Sequence, residues 1–249
     1  MITVIIPTCD RPALLARALA SVEAQTAPPA RVIIVDNGHQ PAPVHGPERL
    51  AVSRLRAPAR CGVSRARNAG AEAADTPWLA FLDDDDTWPE DYLSVMQAAV
   101  RTRPDAHMHL AALQSVAADG ALFGAKQFDP ARPRQVLYRN PGIVGSNTLV
   151  RRDTLLAVGG FDIRLTCGED RALLWTFLHR GYRVSAAPET TAWIHEHEGP
   201  RLSDVRHLLK ARREFLRRYR RDMSPAEVAL AVTGIVRGIP GILLRRRRV

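Results

Sequence analysis

The hydrophobic pattern changes period several times along the first hundred residues. Residues 2–6 form a short, β-branched apolar run stopped by Pro7, the pattern of a strand covered on both faces. After a turn at residues 8–11, Pro12 stands where a helix can begin. Leu14, Leu15, Ala18, Leu19 and Val22 then recur at helical spacing. Residues 31–35 repeat the strand pattern and end on Asp36-Asn37-Gly38. Strand, helix and strand in this span match one right-handed crossover. The alternation continues with a strand at 50–55, an alanine-rich helix at 62–74, a strand at 78–82 and a helix at 89–101. It predicts an α/β fold with a mainly parallel sheet, helices on both faces, and ligands bound beyond the carboxyl ends of the strands. That rule selects three polar loops, at 8–11, 36–38 and 83–86.

From residue 107 the pattern shifts. Residues 107–117 and 121–126 read as a hairpin about Asp119-Gly120. A strand at 147–150 and a short helix lead to the turn Gly159-Gly160-Phe161-Asp162. Gly168-Glu169-Asp170 opens a further helix, and a strand follows at 182–186. Ser203 starts a long helix whose apolar stripe includes Val205, Leu208, Phe215 and Tyr219, with arginines on its other faces. Residues 225–244 are largely apolar but are interrupted by Glu227, Arg237 and the helix-breaking Pro240. A spanning helix wants ~20 cleanly apolar residues. The segment suits an amphipathic stretch lying on a bilayer, or a docking helix with a solvated basic end.

Composition and charge sharpen this picture. The chain has 249 residues, 46% hydrophobic and 24% charged, enough for one large globular domain with an appendage. Fourteen Arg/Lys and four Asp/Glu fall between Arg201 and Arg248, leaving an almost neutral twenty-one and twenty-two for the rest. Such a basic end favours anionic surfaces, phospholipid or nucleic acid. Nucleic acid is not expected, because Phe215 and Tyr219 belong to the apolar stripe rather than to a base-stacking face. Cys9, Cys61 and Cys167 suit neither a disulfide framework nor a CxxC metal site, which points to a reducing, cytoplasmic setting. The first seven residues are too short for a signal sequence and lack a basic leader.

The chemistry concentrates at Asp83-Asp84-Asp85-Asp86. Adjacent carboxylates repel one another unless water or a cation separates them. A hard divalent ion takes oxygen ligands, and Mg²⁺ commonly uses one or two carboxylates plus substrate phosphates. At a strand end Asp83 and Asp85 point the same way. A solvated acidic turn, with Asp86 or Thr87 capping the next helix, would account for the run taken alone.

The run does not stand alone. Ile5-Ile6-Pro7-Thr8-Cys9-Asp10-Arg11, Ile33-Ile34-Val35-Asp36-Asn37-Gly38 and Gly62-Val63-Ser64-Arg65-Ala66-Arg67-Asn68-Ala69-Gly70 precede it. Gly159-Gly160-Phe161-Asp162, Gly168-Glu169-Asp170 and His197-Glu198-Gly199 follow it. In this order the series resembles family 2 glycosyltransferases of the GT-A fold, over residues 1–203. Cys9 stands where the family commonly has an aromatic residue, Asp10 where it has Asn, and Asn37 where it has a second Asp.

The resemblance implies a Rossmann-like nucleotide-binding sheet flanked by helices, with a helical basic C-terminal extension. It divides the chain into a domain at 1–202, with a nucleotide-binding half (1–105) and an acceptor half (106–202), and an extension at 203–249. It implies that Pro7, Thr8, Asp10 and Arg11 line the nucleotide pocket and that Asp36 accepts a hydrogen bond from the base. Arg67 would meet base or diphosphate, while Asp83 and Asp84 would lie by ribose and metal. Asp85, with Asp83 and His197, would hold Mn²⁺ or Mg²⁺. Glu169 and Asp170 would form the catalytic acidic pair, with Asp170 the general base.

The implied reaction is inverting transfer from a nucleoside-diphosphate sugar, UDP-linked for preference, to an unidentified acceptor. The basic extension would place the protein at the inner face of the cell membrane. A sugar-phosphate nucleotidyltransferase is the rival enzyme, but it would want a Gly-rich basic first loop. A non-catalytic polyanion-binding module is the rival from outside enzymology.

Overall fold

A computed structural model describes residues 1–42, 49–196 and 205–245, with side chains left aside at 205–208 and 237–245. The parallel half comprises β1 (Ile2–Thr8), α1 (Pro12–Glu23), β2 (Arg31–Asp36), β3 (Val52–Arg56), α2 (Val63–Ala73) and β4 (Trp78–Phe81). A two-residue strand β5 (Asp86–Thr87), helix α3 (Tyr92–Thr102) and strands β6 (Met108–Val116), β7 (Leu122–Lys126) and β8 (Thr148–Arg151) follow. The chain continues through α4 (Arg152–Ala157), α5 (Glu169–His179), β9 (Val184–His195), α6 (Val205–Tyr219) and α7 (Pro225–Arg245).

One sheet holds all nine strands in the order β3-β2-β1-β4-β8-β6-β9-β5, with β7 paired to β6. β1 lies between β2 and β4, so all seven of its residues are buried. Its side chains alternate between two cores: Ile5 joins Phe81, Phe161 and Phe177, whereas Ile2, Val4 and Ile6 join Leu15, Tyr92 and Met96. That is the period-two signature of a strand covered on both faces. The small residues of α2 bring it close to the sheet. A Cβ on Gly70 would lie 2.6 Å from Cγ2 of Ile5.

The sheet is parallel only in part. β3, β2, β1 and β4 are mutually parallel, as the βα alternation predicts. β8 then runs antiparallel to both β4 and β6, because the alternation ends with α3 and the chain returns through a hairpin and a 3₁₀ turn. β9 was expected to stop at Ala186 but runs to His195. Its register along β6 jumps from Ala187 to Thr191, so Pro188-Glu189-Thr190 bulge out without ending the strand.

Asp86 caps no helix. It pairs with Ile194 in β5, and α3 begins at Tyr92 rather than at Pro89. α7 also passes through Pro240, which forgoes one backbone hydrogen bond.

The C-terminal helices pack on the domain. Phe215 is buried under the Arg171 guanidinium, 4.0 Å from the ring centre. Trp175 Nε1 donates to Asp222 (2.9 Å), and Arg134 grips Glu227 through two bonds of 2.8 and 2.7 Å. No helix among the described residues is long and apolar enough to cross a membrane.

Candidate functional site

Three loops at the carboxyl ends of β1, β2 and β4 converge, as the parallel-sheet rule requires. Asn37 N–H donates to the Thr8 carbonyl (2.9 Å), and Asp10 accepts from the His39 N–H (2.8 Å), which joins the first two loops. Asp10 holds this position at φ 56°, a left-handed conformation that Asp tolerates better than most residues. Thr8 Oγ1 donates to Asp84 (2.8 Å), tying the first loop to the aspartates. Pro7 is buried inside β1 opposite Val35 and shapes the strand end without offering a polar group.

The four aspartates diverge in alternation. Asp83 and Asp85 keep 26% and 23% of their side-chain surface exposed, while Asp84 and Asp86 turn inward. Asp84 meets Thr8 and the Arg11 guanidinium (3.2 Å). Burial, aided by the charges of Asp85 and Asp83 and opposed by Thr8 and Arg11, pushes its carboxyl up to about 6. Asp85 accepts from Arg11 (3.1 Å), and its carbonyl accepts from Arg17 (2.6 Å). Asp86 receives the Ser146 hydroxyl at 2.5 Å, and burial followed by the charges of Asp85 and Asp83 raises it well above the usual carboxylate range.

Arg67 lies at the centre of the site with only 2% of its side chain exposed. Nη2 donates to Asp83 (2.6 Å), while Nη1 donates to Glu169 (2.8 Å) and Asp170 (3.1 Å). Burial opposes its charge, but Asp83, Asp170 and Glu169 outweigh that cost and raise its pKa. Glycine is required at position 145, where a Cβ would collide with the guanidinium. Arg67 is a buried bridge between the end of β4 and the start of α5. Its neighbour Asn68 ties two motifs distant in sequence: Nδ2 donates to the Phe161 carbonyl (2.9 Å) and Oδ1 accepts the Phe161 N–H (2.8 Å).

Asp36 also points into the fold. Its carboxylate is wholly buried, accepting from the Gly38 and Ala42 N–H groups (2.9 and 2.7 Å) and pairing with Arg56 (2.8 Å). Burial opposes its charge, but those donors hold it below the usual range. It shapes the loop after β2.

The first turn of α5 carries Glu169 and Asp170 behind Gly168, whose φ of 83° suits glycine. Burial, then the Glu169 charge, raises Asp170 well above the usual carboxylate range against the pull of Arg67.

A comparison with known families finds the glycosyl transferase family 2 model matching residues 3–159. The chain belongs to glycosyl transferase family 2. Among relatives, the succinoglycan biosynthesis protein ExoW of Rhizobium meliloti (strain 1021) is 33% identical over 153 residues, which are 57% of this chain and 47% of ExoW. ExoO of the same organism is 28% identical over 244 residues, 89% of this chain and 69% of ExoO. The chain thus spans about half the length of ExoW, and 62% of a Haemophilus influenzae glycosyltransferase that is 26% identical over 184 residues.

Solved structures share the fold at low identity. S. aureus TarS (residues 1–349) in complex with UDP-GlcNAc superposes with a TM-score of 0.69 at 16% identity, covering 93% of this chain and 71% of TarS. GalNAc-T7 with UDP, GalNAc and Mn²⁺ gives 0.60 at 16% identity, covering 84% of this chain and 47% of GalNAc-T7.

Within this family 2 domain, the donor set fits a hard cation in one particular way. Among the described residues no three Asp, Glu, His or Cys side chains form a ready cage. Asp83 and Asp85 do present partly exposed carboxylates, and the charge of Asp85 is among the causes that raise Asp83, after burial and against Arg67. Two carboxylates completed by substrate phosphates is a mode that Mg²⁺ commonly adopts. His197 lies outside the described residues. His195 is on β9, with Nε2 2.7 Å from Thr87 Oγ1, and burial and Arg17 lower its pKa.

Sequence reasoning missed Ser146 and Arg17. Ser146 Oγ accepts the Asp83 N–H (3.1 Å) while bonding Asp86, and its carbonyl receives Trp88 Nε1 (2.7 Å) and the Tyr92 hydroxyl (3.2 Å). The only hint was a polar Gly-Ser-Asn between apolar residues. Arg17 sits on the polar side of α1, where only the apolar stripe had been read.

Proposed function

We propose that this protein is a metal-dependent inverting glycosyltransferase that moves a sugar from a nucleoside-diphosphate sugar, UDP-linked for preference, to an acceptor hydroxyl. One observation carries the reading. A single buried guanidinium holds Asp83, at the nucleotide-binding strand ends, and Asp170, the base candidate, on opposite nitrogens. Donor-side and acceptor-side groups are thereby fixed in one constellation. The UDP-GlcNAc bound by TarS and the Mn²⁺ and UDP bound by GalNAc-T7 support the donor class and the cation class.

In this reading residues 1–105 bind the nucleotide through Thr8, Asp10 and Arg11, and residues 106–202 receive the acceptor. Asp83 and Asp85 would hold Mn²⁺ or Mg²⁺, which when bound neutralises charge on the leaving diphosphate. Asp170 takes the acceptor hydroxyl proton as the oxygen bonds to the anomeric carbon. The bond from that carbon to the diphosphate breaks, and the nucleoside diphosphate departs with the electron pair. Glu169 shares the Arg67 guanidinium with Asp170 and keeps the base's pKa high. One displacement inverts the anomeric centre. The three widely spaced cysteines support a reducing, cytoplasmic setting for the reaction.

The test is a screen of UDP-, GDP- and dTDP-sugars for hydrolysis with Mn²⁺, with Mg²⁺ and with chelator. Turnover of one nucleotide class that chelator abolishes is the expected result. No turnover with any donor, or turnover indifferent to chelator, would overturn the proposal.

A further inference from the structure

The outward side of α7 departs from the rule for a surface helix, which places charges toward water. Ala226, Ala229, Leu230, Val232, Thr233 and Val236 are exposed, and none is charged. Leu230 is 51% and Val236 54% exposed. The other side is already engaged: Val228 packs on the core, Ala231 is buried, and Glu227 is held by Arg134. Glu227 is also the only carboxylate between residues 225 and 245.

Positive charge borders this apolar face. Arg212 on α6 is exposed and donates to the Gly234 carbonyl at 2.6 Å, which sets it beside the third turn of α7. Arg237 follows Leu230 by seven residues in the sequence. Arg245 to Arg248 follow in the sequence.

We propose that this face of α7, with its bordering arginines, docks on an anionic phospholipid bilayer. Apolar side chains without carboxylates, edged by arginine, complement an acyl boundary under negative headgroups. A two-fold pairing of copies through the same face would instead bring its arginines together. The inference is independent of the catalytic reading, since none of these residues belongs to the Arg67 constellation.

Co-sedimentation of the full chain with vesicles tests it. The protein should pellet with phosphatidylcholine–phosphatidylglycerol vesicles, stay in solution with phosphatidylcholine alone, and lose binding as salt rises. The double variant Leu230→Glu, Val236→Glu should bind anionic vesicles ~10-fold or more weakly while its circular dichroism is unchanged. A full chain that ignores anionic vesicles, or a double variant that binds as well as the wild type, would refute the proposal. A wild-type dimer that the double variant turns into a monomer, without vesicle binding, would assign the face to a second copy of the chain.

Discussion

Arg67 and its three carboxylates are stable only as a set. Removing the guanidinium leaves Asp83, Glu169 and Asp170 facing one another without their shared counter-charge. Breaking one partner of a buried ion pair costs about 3–5 kcal/mol. Arg67→Ala is therefore expected to lower unfolding free energy by about that amount in denaturant titrations. Arg67→Lys should recover stability only in part, since one ammonium cannot reach both ends of the bridge as a fork does. Asp85→Ala should leave stability nearly unchanged yet reduce metal-supported donor hydrolysis ~100-fold or more.

The raised pKa of Asp170 fixes a pH dependence. A general base works ionised, so kcat/KM should fall as pH drops through its pKa. Burial and Glu169 place that acid limb above the ordinary carboxylate value of about 3.9. A pH–rate profile with its acid limb at the ordinary value would remove the buried base from the mechanism.

At the scale of elements, strand ends were legible and their side-chain directions were not. Apolar runs punctuated by Pro7, Asp36 and Asp83 located β1, β2 and β4 and brought three loops to one place. Alternation along the aspartates separated Asp83 and Asp85 from Asp84 and Asp86. The same reasoning could not see that Asp36 and Arg67 point into the fold, because their partners are Arg56, Glu169 and Asp170, distant in sequence or on other elements. β5 escaped for a related reason: two residues carry no period, and only pairing with β9 defines them.

The docking of α7 offers its own test. Arg134 and the Ser224 donors lower Glu227 to about 2 from an ordinary 4.5. Because the folded value lies below the unfolded one, this contribution is present above about pH 4.5 and is lost as pH falls toward 2. Unfolding midpoints of wild type and Glu227→Gln should differ at neutral pH and converge near pH 2. A pH-independent difference would mean that Glu227 contributes by shape alone.

Across the whole molecule, residues 1–105 and 106–196 share one sheet. β4 of the first half pairs with β8 of the second, and β5 pairs with β9. A fragment of residues 1–105 would expose an unpaired β4 edge and lose the Arg67 partners on α5. It should show no cooperative thermal transition, whereas the full chain should. A cooperative transition in the fragment would make the halves separate folding units. The family match ends at residue 159, short of α5. The start of α5 was nevertheless legible, because a glycine before two acidic residues and an apolar helix is a local signal.

The account depends most on Asp170 accepting a proton in the step that breaks the donor. Hydrolysis of the preferred nucleoside-diphosphate sugar at saturating donor, compared between wild type and Asp170→Asn, tests this directly. The expected result is a fall in kcat of about 10²–10⁴-fold with the KM for donor little changed. Hydrolysis by Asp170→Asn at the wild-type rate would contradict it.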